Sequence, residues 1–142
     1  MTNDQSPTQE SCVGPSAPAG RASVTRVFDL GERTAKFGEE IIRFCRGIKQ
    51  DAVTEPLIRQ IVKSGTSVGA NYCEADDAIS GREFRQKIGT CKKESRETRY
   101  WLRMIAAADP GQAPAARPLW KEANELLLIV ATIFRKVSTK KK

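Results

Sequence analysis

Apolar positions between residues 30 and 137 recur with a helical period, and no stretch shows the alternation that a half-buried strand needs. Leu30, Thr34, Phe37, Ile41, Phe44 and Ile48 form a heptad seam. It predicts a first helix from Leu30 to about Gln50, with Asp29 as its N-cap. Gly38 weakens that helix, so it marks a close contact rather than a break. The link 51–56 is short, with Thr54 as the expected cap and Pro56 tolerated in the first turn of the next helix. That second helix runs from Glu55 to about Ala78. It places Leu57, Ile61, Val68, Tyr72 and Ile79 on one face, with Gly65 among them. Gly65 and Gly69 would let a neighbouring backbone come close. The opposite side is also small, with Thr66, Ser67, Ala70 and Asn71. It is either a second packed face, outside the subunit, or a row of short polar groups facing water.

The corner after Ile79 carries Ser80 and Glu83 at capping-box spacing, so a third helix starts there and runs to about Ala108. Its seam is Phe84, Ile88, Cys91, Ser95, Thr98, Leu102 and Ile105. Asp109-Pro110-Gly111 ends it, and residues 111–118 read as a Pro/Ala loop. The fourth helix is expected from Pro118 to Val137, with a stripe of Leu119, Ala123, Leu126, Leu127, Val130, Ile133, Phe134 and Val137. Leu128 and Ile129 lie off that stripe, either exposed or touching another subunit. Four amphipathic helices with short links predict an all-α, up-down-up-down antiparallel four-helix bundle over residues 28–138. Residues 1–27 hold too few apolar side chains to offset their ordering entropy, and are expected to be a disordered tail. Residues 139–142 form a basic C-terminal tail.

Composition narrows the chemistry. The 142 residues carry 24 Lys+Arg against 17 Asp+Glu, a formal charge of +7, which suits polyanionic partners: RNA, DNA or an anionic membrane surface. There is no histidine, and Cys12, Cys45, Cys73 and Cys91 form no C-x-x-C pair, so a zinc site of the common spacings is excluded. No apolar run approaches the roughly 18 residues of a membrane span, and no secretory leader is visible. A cytoplasmic protein without cofactor or metal is expected. Catalysis is not expected either, because the usual general base is missing. Glu74, Asp76 and Asp77 end the second helix, and Glu94 and Glu97 share a flank of the third. Such carboxylates could hold Mg²⁺ for phosphoryl chemistry, or be surface charge paired with nearby cations.

Charge is most structured on the third helix. Residues 80–108 carry eight Lys+Arg and three acids, whereas residues 55–77 carry two and four. At 100° per residue Arg85, Lys92, Arg96, Arg99 and Arg103 fall in one narrow stripe beside the core seam. Glu83, Glu94, Glu97 and Trp101 fall on the other flank. Three uses compete. The stripe can track phosphates of a nucleic acid. It can meet the acidic flank of an identical neighbour, a heterologous contact that closes a ring. Or it can be a solvated face with weak i, i+4 pairs. For assembly the candidate contacts are Thr66, Ala70, Glu94, Glu97 and Trp101.

Residues 64–75, then Phe84, Lys87 and Ile88, then residues 93–102, resemble the four-helix bundle protein family whose founding members are encoded by intervening sequences within bacterial 23S ribosomal RNA genes. Asp29-Leu30, Arg33-Thr34 and residues 122–126 match as well. The resemblance spans about residues 28–137. It implies a bundle that assembles as a homopentameric ring and has no assigned catalytic residue. The chain is also similar to the accessory variability protein of diversity-generating retroelements. That likeness implies nucleic-acid binding and a reverse transcriptase partner. Cys73 stands where many members have Arg, and Ser95 where many have Ala; neither change disturbs the expected fold.

Overall fold

The computed structural model describes residues 29–141, and side chains as far as residue 137. The expected N-terminal tail, Phe28 and the side chains of the basic C-terminal tail lie outside the described residues. Four helices follow one another: α1 Leu30–Arg46, α2 Thr54–Asp76, α3 Gly81–Ala108 and α4 Ala113–Lys141. No strand occurs among the described residues.

Cross-helix contacts fix the topology. On α1 and α2, Gly31 lies against Tyr72, Thr34 against Gly69 and Ile41 against Gly65, so the two run antiparallel. Between α2 and α3, the hydroxyls of Ser64 and Thr98 are 2.9 Å apart, and the Cys91 thiol donates to the Val68 carbonyl. Between α3 and α4, Gly89 meets Phe134 and Arg99 meets Trp120. Residue numbers rise on one helix as they fall on the next, which is the up-down-up-down order. Arg33 of α1 closes the bundle by pairing with Glu122 and Glu125 of α4.

The predicted seams are the core. Leu30, Phe37, Ile41, Phe44 and Ile48 are buried with Ile61, Val68, Ile88, Leu102, Ile105, Leu119, Leu126 and Val130. Burial of apolar area, at about 25 cal/mol per Å², is the main force that holds the rods together. Gly65 and Gly69 serve the α1–α2 crossing. A Cβ at Gly65 would stand 2.9 Å from Ile41, and one at Gly69 would stand 3.2 Å from the Thr34 carbonyl. Leu128 is exposed, whereas Ile129 packs on its own subunit's core.

Several local expectations are corrected. Val53 precedes α2 without a side-chain cap, and the turn before it is tied by the Asp51 carboxylate, which accepts from the amides of Val53 and Thr54, both at 2.9 Å. Thr54 is instead the first helical residue, buried, with its hydroxyl donating to the Lys49 carbonyl. α1 ends at Arg46, earlier than expected, with Gly47 as its C-cap, whose amide bonds to the Phe44 carbonyl at 3.1 Å. Ile79 is 93% exposed, because α2 stops at Asp76 and its periodicity no longer applies there. The Pro/Ala stretch is not a loop. A 3-10 turn, Pro110–Gln112, leads directly into α4 at Ala113. Pro114 occupies the first turn, where amides lack helical acceptors anyway, and Pro118 is exposed one turn later, where water can reach the carbonyl it leaves unpaired. The backbone of α4 stays helical to Lys141, past the expected end at Val137.

Candidate nucleic-acid interface

The α3 start sets the phase of everything along it. Ser80 Oγ accepts from the Glu83 amide at 3.1 Å, the first bond of a capping box, and Glu83 Oε1 reaches back one residue past the cap to accept from the Ile79 amide at 3.3 Å. From that start the helical period turns Arg85, Lys92, Arg96, Arg99 and Arg103 toward α4. The row is about 27 Å long at 1.5 Å per residue.

The structure does not leave the whole stripe in solvent. Only Arg96 and Arg103 are exposed. The other three are half-buried over aromatic rings of α4. The Arg85 guanidinium lies 4.5 Å and the Lys92 ammonium 5.2 Å from the Phe134 ring centre. The Arg99 guanidinium lies 5.2 Å from the Trp120 ring and donates to Asn124 Oδ1 at 2.6 Å. A ring face is electron-rich and draws a cation, while the aliphatic stem covers apolar surface. Gly89 makes the Phe134 position possible, because a Cβ there would stand 3.0 Å from the ring. The basic row is therefore one wall of an α3–α4 groove, with two aromatic rings in the other.

The opposite flank of α3 faces α2. Burial first, and the Glu97 carboxylate second, hold Glu94 above the usual carboxylate range, against the pull of Lys93 and Lys63. Trp101 packs on the core and meets Tyr100 edge-on at 4.9 Å. Its Nε1 is buried without a hydrogen-bond partner among the described residues. Thr66 and Ala70 lie elsewhere, in a shallow groove of about 290 Å³ between α1 and α2 that Gly38, Gly69 and exposed Ile42 also line. The candidate assembly residues thus fall into two separate places on one protomer.

The acids that ended α2 are not gathered into a site. Glu74 pairs with Lys87 of α3 at 2.5 Å, which raises the lysine pKa. No group of three metal-ligating side chains occurs among the described residues. No helix there is long and apolar enough to cross a membrane.

Sequence reasoning missed Trp120 and Asn124, and counted Phe134 as core alone. A signal was present: Trp120, Asn124 and Phe134 share one side of α4 at helical spacing. What a single helix cannot say is which neighbour that side will meet.

These features define the class: an all-α antiparallel bundle with a basic, aromatic-walled groove between its last two helices. The model of the 23S rRNA-intervening sequence protein family matches residues 28–132, and the chain belongs to that family. The resemblance read from the motifs is borne out. A solved structure from Bacteroides thetaiotaomicron, a protein of unknown function from the S23 ribosomal protein family, is similar in fold. Its TM-score is 0.69 at 24% identity, over 77% of this chain and 97% of the other. No curated protein matches the chain.

Proposed function

We propose that this chain is a non-enzymatic RNA- or DNA-binding protein that works as a homo-oligomeric ring, of five subunits by family resemblance. The observation that carries the proposal is the α3–α4 groove. Exposed Arg96 and Arg103 stand along it, and Arg85, Lys92 and Arg99 are held in the same row by Phe134 and Trp120. A row of cations beside aromatic rings is how proteins follow a nucleic-acid backbone without reading sequence. A reverse transcriptase partner, drawn from the retroelement likeness, is a finer form of the same reading.

A mobility-shift titration between about 50 and 300 mM salt tests it. Five neutralised phosphates give a log–log slope near −4.5 on duplex DNA and near −3.5 on a single strand. Arg96→Glu with Arg103→Glu abolishes binding and leaves the helical content intact, because neither side chain is buried. Absence of binding at the lowest salt overturns the proposal.

Assembly alone, as an adaptor without nucleic acid, is the second reading. It is favoured by the small-residue α1–α2 groove and by the unpartnered indole N–H of Trp101. Light scattering decides the oligomeric part: a monomer mass at micromolar concentration refutes both the ring and the adaptor.

A further inference from the structure

The groove ends in a cleft. About 360 Å³ opens between the C-terminal part of α3 and the first turns of α4. That volume lies at the small end of ligand pockets, about 300 to 1,000 Å³. Buried Leu102 and Ala116 are among its lining residues, and the Trp120 indole forms a wall. Three cations line it as well: Arg103 from α3, and Arg117 and Lys121 from α4. No carboxylate does. On its other edge Trp120 borders a second hollow, and there Glu122 and Glu125 stand, already engaged by Arg33.

These parts specify a ligand. The apolar lining favours a flat group that gives up its water. The 39% exposed indole offers a surface on which such a group can stack. Three cations without an acid call for an anion joined to it. Arg99 over Trp120, and Arg103 in the cleft wall, make the cleft continuous with the row of cations. We propose that the cleft takes one unstacked base of a single-stranded nucleic acid, stacked on Trp120, with the adjoining phosphates held by Arg103, Arg117 and Lys121. The inference deepens the proposed nucleic-acid reading and depends on it. A duplex keeps its bases paired and stacked, so it can use the row but not the cleft.

The test compares one mixed-sequence oligonucleotide as a single strand and annealed to its complement, with intact protein, Trp120→Ala and Trp120→Phe. The single strand is expected to bind more tightly than the duplex. Trp120→Ala weakens single-strand binding about 5- to 150-fold, as loss of one base–aromatic stack does, and weakens duplex binding less, because the duplex loses only the ring that carries Arg99. Trp120→Phe, which keeps a ring, recovers part of the loss. In a Trp101→Phe background the remaining indole fluorescence is quenched by the single strand and not by the duplex. If Trp120→Ala binds the single strand as well as the intact protein does, the stacking site is overturned while the basic row stands. If a mononucleotide binds as tightly as the oligonucleotide, the single-strand assignment is overturned. If no nucleic acid binds, both readings fall.

Discussion

Arg33 grips Glu122 with two parallel hydrogen bonds, Nε to Oε2 at 2.7 Å and Nη2 to Oε1 at 2.9 Å, and reaches Glu125 as well. The two segments are 89 residues apart, and the contact joins the first helix to the last. The hydrogen bond to Glu122, foremost, holds the guanidinium firmly protonated. Both partners are a little under one-third exposed, so solvent screens the pair only in part.

Arg33→Gln or Glu122→Gln should each lower stability by about 1 to 2 kcal/mol, the usual worth of a charge-assisted bond at a partly wet site. The double variant should lose less than the sum. Urea unfolding of all four forms as a mutant cycle measures the coupling, and a value near zero removes the clamp.

Glycine substitutions should separate by position. Gly65→Ala drives a methyl into Ile41 and should destabilise by about 1 to 3 kcal/mol. Gly81→Ala meets nothing within 4 Å at the start of α3, and should be neutral or stabilising by up to about 1 kcal/mol. Thermal melts of the two variants check the contrast.

Buried hydroxyls should also diverge. Thr98→Val removes the 2.9 Å bond that the Ser64 hydroxyl accepts, leaving it only its 3.4 Å bond to the Ile61 carbonyl, and should cost about 1 kcal/mol. Ser95 Oγ is buried with no partner among the described residues, so Ser95→Ala should raise stability by about 1 kcal/mol. Equal effects in chemical denaturation would contradict this difference.

Two pH windows follow from burial. Burial pushes the Cys45 thiol up to about 11 and the Cys91 thiol up to about 12. Their folded values exceed the unfolded one, near 8.5. The stability they contribute is therefore complete below that pH and lost as pH climbs through 11 to 12. In a Cys12→Ser background, a thiol reagent at about pH 8 should label exposed Cys73 quickly and the other two only on unfolding. Glu94 is raised in the same sense, so its contribution is complete below the ordinary glutamate value, about 4.3, and lost above it. Glu94→Gln should raise the urea midpoint at pH 7 and leave it unchanged near pH 3.5.

Sequence alone determined the four rods and their buried faces, because helical periodicity is written locally: Phe37, Ile41 and Ile88 are inside where their spacing puts them. It also determined the α3 cap and the single-sided basic row, which depend only on residues a few positions apart. Pairings between helices were not written there. Arg33 with Glu122, Arg99 with Trp120 and Gly89 with Phe134 exist because packing rotates each rod to bury its seam, and that rotation alone chooses which flanks meet. Tertiary structure likewise made a helical turn of the Pro/Ala stretch, since Ala116 and Leu119 are buried against the core while only Pro118 removes a helix bond.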